Sequence, residues 1–185
     1  TADAIYQNLS FLKASHEPYV VIASGDCVYK MDYNKVLEYH IAKKADITVV
    51  CKDMAPGENV DRYGTVKMNE DYRIEEFEEK PVVAKSNTIS CGIYVIRRRQ
   101  LIVKDVLIRY KSLKRIYGYK MTDYWKNIAT IEDYFDTNMD FLKPEIRNYF
   151  FREYPDIYSK VDDLPPAKYN VGAKLKNSLV SSGSI

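Results

Sequence analysis

Cysteine is scarce in this chain, and neither sign of charge prevails. The three cysteines, Cys27, Cys51 and Cys91, are odd in number, widely spaced and form no CxxC pair, so neither a disulfide framework nor a zinc site is expected. A reducing cytoplasm fits such usage. Lys+Arg 28 against Asp+Glu 26 leaves a net charge of +2, which removes bulk attraction to polyanions as a mechanism and nucleic acid as an expected partner. No uninterrupted apolar run reaches the roughly 18 residues of a membrane span, so no membrane partner is expected either. GxGxxG, GxxxxGKS/T and GxSxG are all missing, which leaves dinucleotide binding, P-loop chemistry and a serine-hydrolase elbow without support. The two histidines, His16 and His40, lack ligand spacing and read as solvated or packed.

What is present suits one good-sized α/β domain with a short appendage, since 46% of the 185 residues are apolar and can fill a sizeable core. The chain opens on Thr1 and closes on Leu179-Val180-Ser181-Ser182-Gly183-Ser184-Ile185, and both ends read as interrupted. Ile5, Leu9 and Leu12 recur at helical spacing over 1–15. Tyr19-Val20-Val21-Ile22-Ala23 and Ile47-Thr48-Val49-Val50-Cys51 read as buried strands, separated by a helix that Asp32 caps and that lines up Val36, Leu37, His40 and Ile41. This rhythm predicts parallel strands. Alternation then predicts a hairpin over Tyr63–Met68 and Arg73–Phe77, and Thr88–Ile96 is apolar enough for a central strand. Residues 97–111 are helical in composition. Short strands follow near Ile116–Tyr119 and Tyr124–Ile128, and then a last helix over 130–142. Thr130 and Asp133 would form its capping box, with Ile131, Tyr134, Phe135, Met139 and Leu142 on its buried side.

Past Lys143-Pro144 the composition turns to tyrosine, proline and polar residues, so a boundary falls near 143, and Asp162-Asp163-Leu164-Pro165-Pro166 reads as an extended linker. Ala173, Leu179 and Ile185 recur every six residues, the spacing of a hexapeptide β-helix. An irregular tail is the alternative reading.

Two places could carry chemistry. Asp26 follows a buried strand through Gly25, where an α/β sheet offers ligand sites and where a carboxylate can hold Mg²⁺ against phosphates; a turn or capping aspartate is the plain alternative. In Glu78-Glu79-Lys80-Pro81, Lys80 could meet a phosphate as a point charge, or the run could be an ordinary charged surface.

Taken together, the Thr1-Ala2-Asp3-Ala4-Ile5-Tyr6-Gln7-Asn8 stretch, Tyr19–Ile22 running into Gly25-Asp26, Tyr29-Lys30-Met31-Asp32-Tyr33, Tyr63-Gly64, Phe77-Glu78-Glu79-Lys80-Pro81, Ser90-Cys91-Gly92-Ile93-Tyr94, Tyr124-Trp125-Lys126-Asn127-Ile128-Ala129-Thr130 and Leu164-Pro165-Pro166-Ala167 closely resemble the glucose-1-phosphate adenylyltransferase family. The resemblance implies an incomplete Rossmann-like, GT-A-like nucleotidyltransferase domain over 1–142 with a mixed sheet and flanking helices. A linker over 143–170 and the start of a left-handed parallel β-helix over 171–185 would follow. It implies ATP and glucose 1-phosphate as substrates, Mg²⁺ held by Asp26, and glucose 1-phosphate surrounded by Gly64, Glu79, Lys80 and Ser90. A cytoplasmic, allosterically controlled homo- or hetero-tetramer of glycogen biosynthesis is implied as well.

The departures point further. The family's glycine-rich loop is absent, so this chain alone should not turn over. Asn127 stands where catalytic members carry a second metal-binding aspartate, Cys27 replaces the usual histidine, and the helix before Val103-Lys104-Asp105-Val106 is shorter than the family's, so that near Ile102-Val103 a loop is either deleted or left out of the numbered chain. These changes resemble the D-type companion subunit, which pairs with a catalytic adenylyltransferase subunit. A fully active enzyme met as a fragment, and a non-catalytic hexapeptide-repeat assembly module, are the other readings.

Overall fold

The computed structural model describes residues 2–99, 115–158, 160 and 162–184, and the chain forms two compact units. The first comprises residues 1–25 and 32–122, the second 26–31 and 123–185.

The first unit is an α/β layer around a mixed sheet. Its strands are β1 (Tyr19–Ala23), β3 (Ile47–Asp53), β4 (Gly64–Met68), β5 (Ile74–Glu79), β6 (Thr88–Arg97) and β7 (Ile116–Lys120), ordered β5-β4-β6-β3-β7 with β1 also on β6. Among the described residues only β3 and β7 pair in parallel; β1 pairs antiparallel with β6 and does not join β3. The expectation of parallel neighbours therefore fails for β1, because the apolar runs gave burial but not partner or direction. The β4–β5 hairpin and the central position of β6 are as expected. Continuous apolar sequence explains the core: Ile47, Val49, Val50, Cys51, Ile89, Ile93 and Val95 are almost wholly buried.

Helix α3 (Tyr33–Ala42) starts where the Asp32 carboxylate accepts from the Asn34 N–H, satisfying one orphan donor. The single helix expected over 1–15 is instead α1 (Ala2–Gln7) and α2 (Leu9–Ala14), interrupted at Asn8. Asn8 explains the break: its side-chain amide bonds back to the Ala4 carbonyl, competing with the helical ladder. Ile5 and Leu12 still reach the core. The helix expected over 97–111 and the missing loop near Ile102-Val103 lie, beyond Arg99, outside the described residues.

The second unit holds a two-stranded ribbon, β2 (Cys27–Tyr29) antiparallel to β8 (Trp125–Asn127), and helices α4 (Ile131–Asp140) and α5 (Pro144–Arg152). Thr130 and Asp133 form the expected capping box on α4. Its expected buried side is wrong. Ile131 is 83% exposed and Phe135 60%, with Tyr134 and Met139 also exposed, while Thr137 and Asp140 face inward. The cause is polar: Asp140 gathers the Tyr124 hydroxyl and the Lys126 and Lys143 ammoniums at 2.9, 2.6 and 2.7 Å. Helix α5 was also not expected. Pro144 stands at its first turn, where a missing N–H costs nothing, so the proline that suggested a boundary starts a helix. Tyr124, Phe141 and Phe150 pack edge-on or tilted with ring centroids 4.8–6.4 Å apart.

Residues 162–184 carry no strand. Besides short-range turns, two backbone bonds join distant parts of the segment, Gly183 N–H to the Pro165 carbonyl at 2.7 Å and Lys168 N–H to the Ser184 carbonyl at 2.9 Å. Among the described residues no helix is long and apolar enough to cross a membrane.

Candidate functional site

In the first unit, the hairpin and the central strand bring three of the expected sugar-phosphate residues together. Gly64 lies opposite Glu79 in the β4–β5 register, and Thr65 pairs with Ile89, beside Ser90 on β6. A Cβ on Gly64 would sit 2.8 Å from Phe77 Cζ and 3.2 Å from Glu79 Oε2, so only glycine leaves the Glu79 carboxylate where it is. Ser90 Oγ lies 3.2 Å from Tyr94 Oη and accepts from the Gly92 N–H at 3.3 Å. Gly92 makes this possible: its φ of +71° accompanies a register shift between β3 and β6, the signature of a bulge that re-aims a side chain. Burial raises the Tyr94 hydroxyl pKa, and the Glu79 charge pushes it the same way.

Charge pairing separates Glu79 and Lys80 from their neighbours. Glu76 pairs with Lys67 at 3.1 Å and with Lys85 at 3.6 Å, and Glu78 pairs with Lys85. Among the described residues Glu79 and Lys80 form no ion pair. Lys80 also holds a φ of +46°, a left-handed conformation that a non-glycine residue adopts at a cost; its N–H bonds the Tyr63 carbonyl at 3.2 Å. A backbone position without Cβ, a carboxylate and two hydroxyls to bond alcohols, and an unpaired ammonium together suit a sugar phosphate. Tyr94 is the member missed in the sequence. The period of two along β6 carries the signal, since Ser90, Gly92 and Tyr94 then share a face.

In the second unit, the ribbon carries the other two expected residues, Asp26 and Asn127. The Asp26 carbonyl accepts from the Ile128 N–H at 2.7 Å and from Asn127 Nδ2 at 3.2 Å, and its Oδ1 lies 3.4 Å from Cys27 Sγ. Asn127 Nδ2 also lies 3.6 Å from that sulfur. With the amide nitrogen turned to the backbone, Asn127 keeps a neutral oxygen, and Asp26 supplies the exposed carboxylate. One carboxylate and one neutral oxygen suit a hard cation such as Mg²⁺, which completes its shell with phosphate and water, at less charge than two carboxylates give. Among the described residues no group of three or more His, Cys, Asp or Glu side chains could hold a metal ion.

The nucleotidyl transferase family profile matches residues 1–144. The chain is 37% identical over 201 residues to a glucose-1-phosphate adenylyltransferase of Lachnospira eligens, covering 100% of this chain and 47% of that protein. It is 36% identical over 199 residues to one of Thermosipho melanesiensis, covering 99% and 48%. It is also 36% identical over 202 residues to one of Bacillus subtilis, covering 100% and 53%. The chain thus spans about half the length of the curated relatives it matches.

Proposed function

Because the chain belongs to the nucleotidyl transferase family, we propose that the protein serves adenylyl transfer from ATP to glucose 1-phosphate, forming ADP-glucose and pyrophosphate. The observation that carries this reading is the grouping of Gly64, Glu79, Ser90 and Tyr94 beside an unpaired Lys80. Glu79, Ser90 and Tyr94 hydrogen-bond glucose hydroxyls, and Lys80 pairs with the sugar phosphate. A phosphate oxygen of glucose 1-phosphate forms a bond to the α-phosphorus of ATP while the bond from that phosphorus to the bridging oxygen breaks. Pyrophosphate departs with the electron pair. Such a transfer relies on positioning and charge stabilisation. Asp26 and Asn127 would hold Mg²⁺, whose chemistry when bound is to offset phosphate charge.

Asn127 favours a regulatory or weakly catalytic subunit over a full catalyst, since a neutral amide stands where a second carboxylate would raise metal affinity. We assign it to the cytoplasmic, allosteric tetramers of glycogen biosynthesis, assembled with a catalytic adenylyltransferase subunit. Residues 1–142 form the nucleotidyltransferase domain, 143–170 the linker and 171–185 the opening of a left-handed β-helix.

The test supplies full-length protein, alone and with the catalytic partner, with ATP, glucose 1-phosphate and Mg²⁺. Slow ADP-glucose formation by the lone protein, raised by Asn127→Asp, is expected. Turnover by the lone protein equal to the partner's would sink the regulatory assignment. Glucose 1-phosphate should raise the melting temperature by mass action, and Lys80→Ala should abolish that rise. No thermal shift in the unmodified protein would overturn the substrate reading.

A further inference from the structure

Lys30 follows the ribbon strand that Asp26 introduces, and it is buried, with 4% of its surface exposed. Its ammonium donates to the carbonyls of Tyr149, of Phe150 at 3.3 Å and of Glu153 at 2.6 Å. Tyr149 and Phe150 belong to the last turn of α5, whose carbonyls have no helical partner, and the C-terminal end of a helix attracts a cation. Three donors thus meet three acceptors. The ammonium also lies 4.8 Å over the Tyr149 ring, and the Tyr149 hydroxyl returns a bond to the Lys30 carbonyl at 2.8 Å. Lys30 therefore ties β2 to α5 through side chain and backbone together. At the other end of β2, the β8 pairing and the bonds from Ile128 and Asn127 fix the Asp26 carbonyl. The carboxylate stands next to a short strand held at both ends.

We infer that Lys30 is a positioning residue for the Asp26 metal site, acting through the buried staple between β2 and the carbonyl end of α5. The inference rests on the reading of Asp26 as the metal-binding carboxylate. An ordinary helix cap would stabilise α5 and leave the metal site unaffected. A positioning residue sets where the carboxylate points, and removing such support around a metal ligand typically weakens metal affinity about 10- to 100-fold.

The test titrates Mn²⁺, as a paramagnetic stand-in for Mg²⁺, into the full chain and reads free ion by electron paramagnetic resonance, with the thermal shift by glucose 1-phosphate as a parallel readout. Asp26→Asn should abolish the binding. Lys30→Met should weaken it about tenfold with the glucose 1-phosphate shift retained, and Lys30→Arg should recover part of the loss by donating to the same carbonyls. Tyr149→Phe, which deletes one bond of the staple without removing bulk, should weaken Mn²⁺ two- to threefold, and it decides the matter if Lys30→Met does not fold. Unchanged Mn²⁺ affinity in the folded Lys30→Met protein, or in Tyr149→Phe when the former does not fold, overturns the positioning role and leaves the metal reading standing. Equal loss of the Mn²⁺ and glucose 1-phosphate responses overturns it too, as general loosening. Mn²⁺ binding that survives Asp26→Asn, or is absent from the unmodified chain, overturns the metal reading and the positioning role together.

Discussion

The sheet unit is held by aliphatic side chains with almost no exposed surface. The ribbon unit buries a lysine, a threonine and an aspartate, and turns isoleucine, phenylalanine and methionine outward. In the first, burial of Ile47, Val49, Ile89, Ile93 and Val95 supplies the stability, and polar residues such as Glu79 and Lys80 stay exposed at the hairpin's end. In the second, Lys30 and Asp140 act as hubs that fix short elements in place. The contrast matters because two routes to rigidity respond differently to substitution and to pH.

Truncating a core aliphatic should separate the units most strongly. Ile93 is fully buried at the middle of β6, so Ile93→Ala should cost about 3–4 kcal/mol through lost transfer energy and a residual cavity. Ile131, 83% exposed on α4, should change stability by less than about 0.5 kcal/mol on the same substitution. Urea unfolding of both variants checks this. Equal costs would mean that α4 buries its apolar side after all and that the comparison is false.

Acid comes next. His40 is wholly buried on α3; its Nδ1 shares a hydrogen bond of 2.8 Å with Thr48 Oγ1, and Nε2 has no partner among the described residues. Burial, followed by the charge of Arg97, lowers its pKa to about 4. The unfolded imidazole takes a proton from about pH 6.5 downward and the folded one resists, so stability is present in full above pH 6.5 and is lost as pH falls toward 4. At pH 5 the expected loss is about 2 kcal/mol. Urea midpoints at pH 7 and pH 5 should show it in the unmodified chain and not in His40→Gln. A pH response that survives the substitution would remove His40 as its cause.

The sheet unit was the more legible of the two in the sequence. Continuous apolar runs announced β3 and β6, alternation announced the β4–β5 hairpin, and Asp32 and Thr130 announced two helix starts. The antiparallel pairing of β1 with β6 was not readable, because pairing is decided by contacts far apart in the chain. Gly64, Glu79, Lys80 and Ser90 were singled out through the family resemblance alone, and the structure adds that a Cβ on Gly64 would crowd Phe77 and Glu79 and that Tyr94 stands with Ser90. In the ribbon unit, periodicity misled. Ile131, Tyr134, Phe135 and Met139 have the spacing of a buried stripe, yet Asp140 and Thr137 hold the inner side. Lys30 and Asp140 look like ordinary surface charges in the sequence, since no local pattern reveals that a lysine will meet three carbonyls more than a hundred positions away.

The smallest expected effect tests the polar route itself. Burial pulls the Asp140 carboxyl up, but hydrogen bonds from Lys126, Lys143 and Tyr124 outweigh it and hold its pKa down at about 2. A folded pKa below the unfolded value gives stability that is present above about pH 3.8 and lost as pH falls through 2. Taken at face value the shift corresponds to roughly 2.5 kcal/mol. Lys126 and Lys143 are 40% and 57% exposed, and screening by solvent reduces the expected contribution to about 1–1.5 kcal/mol. Asp140→Asn should therefore lose about that much at pH 7, read from amide exchange along α4, and the deficit should shrink as pH falls from about 3.8 through 2, where the carboxyl of the unmodified chain is half protonated. His40 acts between pH 6.5 and 4 and Asp140 only below 3.8, so an acid titration should loosen the sheet unit before the ribbon unit. Amide exchange rising along α4 before β6 would reverse that order, and with it the claim that the ribbon unit depends on charge that persists at low pH.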